Sequence, residues 1–402
     1  MIYRKYKEDN LSLLGFGTMR LPVLKDGRID EAQTEEMVKL AMEAGVNYFD
    51  TAYPYHGGES EVVIGRILNK YPRESYRLAT KYPGHQIVEK YDPQAIFEEQ
   101  LEKCGVEYFD YYLLHNVYEN SMHIYTDEKI GVMEYFRQQK RLGKIKHLGF
   151  SSHGRLENLK EFLDIYGDEM EFCQIQLNYL DWTLQQAKEK YELLTERGIP
   201  VWVMEPVRGG KLASLSNDDE QKLRGYRPQE SIASWSFRFL QDLPNVTMIL
   251  SGMSNVEQMK DNIKTFEREK ALTTEEHTLL LAIADKMKNS VPCTACRYCC
   301  DGCPMGLDIP KLLASYNEIV IAPSTNAIMW LDALEAEKLP SACVKCGKCS
   351  KICPQAIAIP EVFSDFTKRL KAIPKWADIC KEREELAKKR INSQYMPRLQ
   401  QR

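Results

Sequence analysis

Short apolar runs bounded by turn residues recur through the first 270 positions. They are LLGFGTM (13–19), VNYFDTA (46–52), YRLATKY (76–82), DYYLLHN (110–116), KHLGFSS (146–152), CQIQLNY (173–179), PVWVMEP (200–206) and TMILSGM (247–253). Amphipathic stretches with helical spacing separate them, at 31–44, 58–70, 93–104, 127–142, 155–166, 183–197, 228–241 and 255–267. A short apolar run followed by a helix, repeated, predicts parallel βαβ units. Eight such units in about 250 residues is the size of an α/β (β/α)₈ TIM barrel. A doubly wound open sheet is the alternative, but no GxGxxG follows the first strand.

The pattern breaks near residue 290. Of twelve cysteines, nine fall between Cys293 and Cys353. The expected layout is a barrel over 1–272, a linking helix over 273–289, and a small, mostly helical ferredoxin-like iron–sulfur domain over 290–360. A Lys- and Arg-rich helical tail over 361–402 is expected to pack against the barrel. Hydrophobic residues at 44% and charged residues at 28% mark a globular chain. The net charge of −4 argues against a nucleic-acid binder that relies on bulk basicity. MIYRKYKEDN contains no apolar h-region, and no apolar run reaches membrane-spanning length. The expectation is therefore a cytoplasmic protein without a signal peptide, whose clustered cysteines bind metal rather than form disulfides.

In a barrel, chemistry sits at the C-terminal ends of the strands. Asp50, Lys81 and His115 end three neighbouring candidate strands, Ser151 and Ser152 end the fifth, and Gln174 lies in the sixth. One polar residue at a strand end is ordinary turn chemistry. An Asp, a Lys and a His at adjacent ends point to an active site.

FDTAYPYHGGESEVVIGRIL (49–68), LATKY (78–82), LLHNV (113–117), GKIKHLGFSSH (143–153) and SGMSNVEQMKDNI (251–263) resemble the aldo-keto reductases over about residues 1–270. The resemblance implies a catalytic tetrad of Asp50, Tyr55, Lys81 and His115, and a bound nicotinamide, NADP(H) or NAD(H). A carbonyl that accepts a hydride builds charge on oxygen and needs a proton. Tyr55 would supply it, Lys81 would lower the phenol pKa, Asp50 would fix Lys81, and His115 would orient the substrate oxygen. Ser151, Ser152 and Gln174 match the residues that hold the nicotinamide carboxamide. Met204 stands where the family usually has an aromatic ring. Val207, Gly209 and Lys211, in the loop VRGGK with Arg208, would lie along the pyrophosphate. Ser254, Gln258, Asp261 and Asn262 would face the adenosine half; an ordinary helix start capped by Asn255 is the alternative reading of 254–262. Gln258 brings no positive charge for a 2′-phosphate. Gly17, Thr18, Met19, Asp50, Glu205 and Gly252 complete the implied cofactor contacts.

Cys293, Cys296, Cys299 and Cys303 follow C-x₂-C-x₂-C-x₃-C with Pro304 next, and Cys343, Cys346, Cys349 and Cys353 repeat it with Pro354 next. This is the bacterial ferredoxin run, in which the fourth cysteine ligates the other cluster. One 4Fe-4S cluster would take Cys293, Cys296, Cys299 and Cys353, and the other Cys343, Cys346, Cys349 and Cys303. Zinc is the alternative metal. Cys300 is expected to be spare, and Cys104, Cys173 and Cys380 to be small buried hydrophobes. TACRYC and GCPMGLDIP resemble the subgroup of aldo-keto reductases with such an extension, common in anaerobic prokaryotes.

The leading expectation is an NAD(P)H-dependent oxidoreductase acting on a small carbonyl or alcohol, with clusters that serve electron transfer to a redox partner protein or serve structurally. An electron relay built on a flavin or ferredoxin, and a non-enzymatic redox sensor, are the alternatives. No trusted flavin signature is present.

Overall fold

The computed structural model describes the chain apart from residues 87–90, 288–290, 292, 294–296, 298, 301, 322–324, 354, 383 and 387–402. Ten strands form. β1 (Tyr3–Tyr6) and β2 (Asp9–Ser12) pair as an antiparallel hairpin. The others are β3 (Leu14–Gly17), β4 (Tyr48–Asp50), β5 (Arg77–Tyr82), β6 (Phe109–Leu114), β7 (Ile145–Ser152), β8 (Cys173–Gln176), β9 (Val201–Met204) and β10 (Val246–Gly252). They close into a barrel in sequence order, with all neighbours parallel. The seam joins β10 to β3, from Ile249 opposite Leu14 to Gly252 opposite Gly17. That closure rules out the open sheet. All eight expected strands are present.

The hairpin is not visible as an apolar run, because YRKY and DNLS alternate charge with apolar groups. Its Tyr6 and Leu11 nonetheless join Tyr48, Tyr111, Phe172 and Trp202 in one buried cluster. Tyr6 meets Trp202 edge-on at 5.1 Å. Asp9 accepts from the Tyr111 hydroxyl at 2.8 Å and from Arg77 Nε at 2.7 Å. Arg77 opens β5, so the hairpin seals the N-terminal end of the barrel, away from the strand ends that carry chemistry.

Some of the surrounding helices start on side-chain caps. Asp30, Asp92, Ser231 and Asn255 each accept from the backbone N–H three residues on. Helix Glu59–Leu68 lies so close to helix Pro93–Cys104 that a Cβ on Gly65 would come within 2.4 Å of the Cys104 carbonyl oxygen. Helix Asn217–Tyr226 was not expected from the pattern. The helix expected over 127–142 starts at Val132, after a separate turn over Met122–Thr126.

Met1–Leu281 forms one compact unit, and Ala282–Glu382 forms a second. Helix Thr274–Met287 runs across that limit. In the second unit, helix Ile309–Ile321 brings Leu312 and Leu313 into a core with Leu307, Ile359, Phe363 and Phe366. Phe363 and Phe366 belong to helix Ile359–Lys371. The limit drawn at residue 360 thus falls inside a helix, and the first part of the tail packs within the cysteine-bearing unit. Among the described residues no helix is long and apolar enough to cross a membrane.

Candidate active site and cysteine cavity

Side chains alternate across a strand. In β5, Thr80 points to the helices and Lys81 into the barrel. Lys81 is fully buried, and its Nζ donates to Asp50 Oδ1 at 2.6 Å and to the Thr51 carbonyl at 2.7 Å. It also lies 5.0 Å from the centre of the Tyr55 ring. Tyr55 opens a tight turn, Tyr55–Gly58, in which His56, Gly57 and Gly58 all have positive φ, at 52°, 65° and 92°. The two glycines take that conformation without a Cβ clash, which explains YHGG directly after Pro54. His115 follows β6, and its ring meets Tyr55 edge-on at 5.9 Å. Asp50, Tyr55, Lys81 and His115 therefore converge at the C-terminal mouth.

Burial would drive the Lys81 ammonium down, but Asp50 and then Tyr55 hold it above its ordinary value. Lys81 pulls the tyrosine pKa down, as expected, but it is not the largest influence on it. Burial raises the Tyr55 phenol more than Lys81 lowers it, so the hydroxyl keeps its proton at neutral pH. Behind Lys81, buried Glu61 accepts from Thr80 Oγ1 at 2.6 Å and from Gln100 Nε2 at 2.7 Å. Gln100 Nε2 also donates to the Lys81 carbonyl at 3.1 Å. Burial, opposed by Lys103, raises the Glu61 carboxyl.

Gln174 is 3% exposed, and its Oε1 has no hydrogen-bond partner. Ser151 lies beside it in register and accepts from Asn116 N at 2.8 Å. Ser152 donates to the Val117 carbonyl at 2.7 Å, so its hydroxyl proton is already engaged. Thr18 is tied to the Asp50 carbonyl through both its N–H (2.9 Å) and Oγ1 (3.0 Å), beside buried Gly17 and exposed Met19. Met204 ends β9. Glu205 follows with φ 56°, and Val207, Gly209 and exposed Lys211 continue the loop. Arg208 does not reach toward an anion there: it is buried in an ion pair with Asp181. The Ser254 N–H, near Gly252, donates to the Gln258 side-chain Oε1 at 2.8 Å, and the Gln258 N–H donates to Asn255 Oδ1 at 2.8 Å. Gln258 and Asn255 thus cap one helix start together. Asn262 is buried and donates to Ser251 Oγ at 2.9 Å, while Asp261 is half-buried.

Sequence reasoning missed two neighbours. His85 stacks on His115 at 4.2 Å; its place four residues after Lys81 was the available signal. Arg20 reaches across from the loop after β3 to within 3.9 Å of Glu205, and its carbonyl accepts from Ser254 Oγ at 2.9 Å. Burial, then Lys190, pushes the nearby His153 imidazole down to about 3, which keeps it neutral.

In the second unit, Cys303, Cys343, Cys346 and Cys349 line one cavity together with Met305, Leu307, Pro360 and Phe363. These four come from both cysteine runs. No group of three His, Cys, Asp or Glu among the described residues is arranged to hold a single metal ion. In the first run Cys299 is buried, Cys293 and Cys303 are half-buried, and Cys296 lies outside the described residues. Burial, then Cys300, pushes the Cys299 thiol up to about 12. Cys104, Cys173 and Cys380 are buried.

The sequence matches the Aldo/keto reductase family over residues 13–285 and the 4Fe-4S dicluster domain over residues 292–358. It is 24% identical over 326 residues to the NADH-specific methylglyoxal reductase of Escherichia coli, covering 69% of this chain and 96% of that protein. It is 26% identical to the uncharacterized oxidoreductase YqkF of Bacillus subtilis, covering 66% of this chain and 90% of that one. Among solved structures, the holo form of the aldo-keto reductase AKR11C1 from Bacillus halodurans superposes with a TM-score of 0.58. It is 26% identical and covers 70% of this chain and 96% of that chain. This chain belongs to the aldo/keto reductase family, as an oxidoreductase that carries a 4Fe-4S domain behind its barrel.

Proposed function

We propose that the barrel reduces a small carbonyl compound with NADH or NADPH, Tyr55 acting as the acid, and that the cysteines hold two 4Fe-4S clusters. The observation that carries the first part is the meeting of Lys81, Asp50, Tyr55 and His115 at one mouth. The unpartnered, buried Gln174 Oε1 fits an amide donor such as the nicotinamide carboxamide. A bound reduced nicotinamide supplies the hydride.

The residues do the rest. His115 orients the substrate oxygen. The Tyr55 hydroxyl, which holds its proton at rest, gives it to that oxygen as negative charge develops there. The phenolate left behind lies against the Lys81 ammonium, which Asp50 and the Thr51 carbonyl keep in place. Gln258 brings no cation to the adenosine side, so this helix start sets no preference for the 2′-phosphate. Lys211 is the remaining cation of the VRGGK loop for the pyrophosphate, since Arg208 is engaged with Asp181.

The cavity lined by Cys303 together with Cys343, Cys346 and Cys349 supports crossed ligation, in which each run lends its fourth thiolate to the other cluster. Bound clusters would exchange single electrons. Tyr55→Phe is the test of the acid role. It removes the proton donor and keeps the ring, so aldehyde-dependent NAD(P)H oxidation should fall by about 10²–10⁴-fold, with cluster absorbance unchanged. Retained turnover would overturn the role given to Tyr55.

A further inference from the structure

A docking role for the second unit rests on the two clusters proposed for its cysteines. The chain carries a net charge of −4, yet from Lys338 to Pro360 it has four lysines and no acidic residue. Lys338, Lys345, Lys348 and Lys351 are all exposed. Among the described residues, none of Lys345, Lys348 and Lys351 is ion-paired. The same stretch supplies three of the four cysteines of the cavity. Cys346 is exposed, whereas Cys303 and Cys343 are half-buried and Cys349 is buried. The Cys346 side is therefore where a cluster in this cavity comes nearest to solvent. In the same stretch of chain, Val344 is 56% and Ile352 is 55% exposed. They are the two large apolar side chains that the second unit exposes among the described residues.

Two exposed apolar side chains and three exposed lysines, on the nine-residue stretch 344–352 that also carries the most accessible cysteine of the cavity, have the make-up of a transient docking patch. Unlike charges steer the encounter and fix its orientation. A small apolar contact then holds the partner long enough for transfer without the area of a permanent interface. We propose that this face docks an acidic one-electron carrier protein, which exchanges electrons with the cluster of Cys303, Cys343, Cys346 and Cys349. One electron leaves the reduced carrier and enters the oxidised cluster. The carrier is oxidised by one equivalent, the cluster is reduced by one, and no bond breaks and no proton moves. The reverse transfer balances in the same way.

The test uses the cluster-loaded full chain and an acidic plant-type [2Fe-2S] ferredoxin, both oxidised, so that binding is read without electron flow. Kd should weaken steeply with added salt. In Lys345→Glu/Lys348→Glu/Lys351→Glu, Kd should rise by at least about 10-fold and lose most of its salt dependence. Basic cytochrome c should show the opposite preference. The neutral triple Lys→Gln variant repeats the measurement should the charge reversal disturb folding. Iron content and visible absorbance are recorded on every sample. Intact clusters with an unchanged Kd and salt slope would overturn the docking face alone. Failure of the wild-type chain to take up two clusters would overturn the cluster reading, and the docking face with it.

Discussion

In the barrel, the buried charges Lys81 and Asp50 of the site pair with each other. Lys81 is fully buried, yet its ammonium already has Asp50 and Thr51 as partners, and Glu61, Gln100 and Thr80 brace the strand behind it. In the second unit, the functional groups surround a space. Cys303, Cys343, Cys346 and Cys349 face a cavity rather than each other's hydrogen bonds, and burial holds thiols such as Cys299 in the protonated form. One site is pre-organised by its own residues. The other gathers thiols from both cysteine runs, and a cluster bound there would supply both the cross-links and the reason for the thiols to ionise.

The largest effect should therefore come from taking iron away. Anaerobic chelation should abolish the cooperative unfolding transition of the second unit while the barrel keeps its own, as followed by calorimetry and far-UV circular dichroism. Two unchanged transitions would mean that the small core of Leu312, Leu313, Phe363 and Phe366 suffices without a cluster. Next in size is Asp50→Ala, which leaves the buried Lys81 charge uncompensated. It should cost the barrel about 3–5 kcal/mol in urea unfolding. A cost near zero would show that Lys81 does not carry its charge in the resting protein.

Gly65→Ala should cost about 1–3 kcal/mol, because its Cβ meets backbone, the Cys104 carbonyl, rather than a movable side chain. Glu276→Gln should show the smallest change. Glu276 accepts from Arg227 Nε and Nη2, both at 2.6 Å. The Arg227 bonds, opposed by burial, hold its carboxyl below the ordinary glutamate value. A depressed carboxyl contributes stability above its unfolded pKa and loses it as pH falls through the folded one. The variant should thus be about 1–2 kcal/mol less stable at pH 7, and the difference should shrink as pH drops below the usual carboxylate range. A constant difference across that range would mean that the charge on Glu276 is not the source.

The sequence made the barrel legible because short, largely apolar runs alternate with helical stretches, and Asp50, Lys81 and His115 stand out as polar residues at the ends of such runs. The β1–β2 hairpin was illegible because its charged groups pair with residues far along the chain. Asp9, for example, meets Arg77 and Tyr111. The same limit hid Arg208. In VRGGK it reads as an anion ligand, and only the fold brings Asp181 to it. The pull of Lys81 on the tyrosine pKa was legible, but the burial that outweighs it was not, because a sequence does not display burial. The cysteine spacing named its metal chemistry outright, but which side of the cavity faces water depends on how Cys346 is set between Val344 and Gly347.

The seam between β3 and β10 has a consequence for biosynthesis. The strand that begins at Leu14 finds its second neighbour only at Val246–Gly252. Long-range pairing of this kind must wait for its partner. A growing chain therefore has no closed barrel until residue 252 has emerged, yet by then not one cysteine of either ferredoxin run has been made. Each nascent chain can complete its reductase body before the first thiol that demands iron leaves the ribosome. The order of synthesis thus separates folding of the barrel from the supply of clusters.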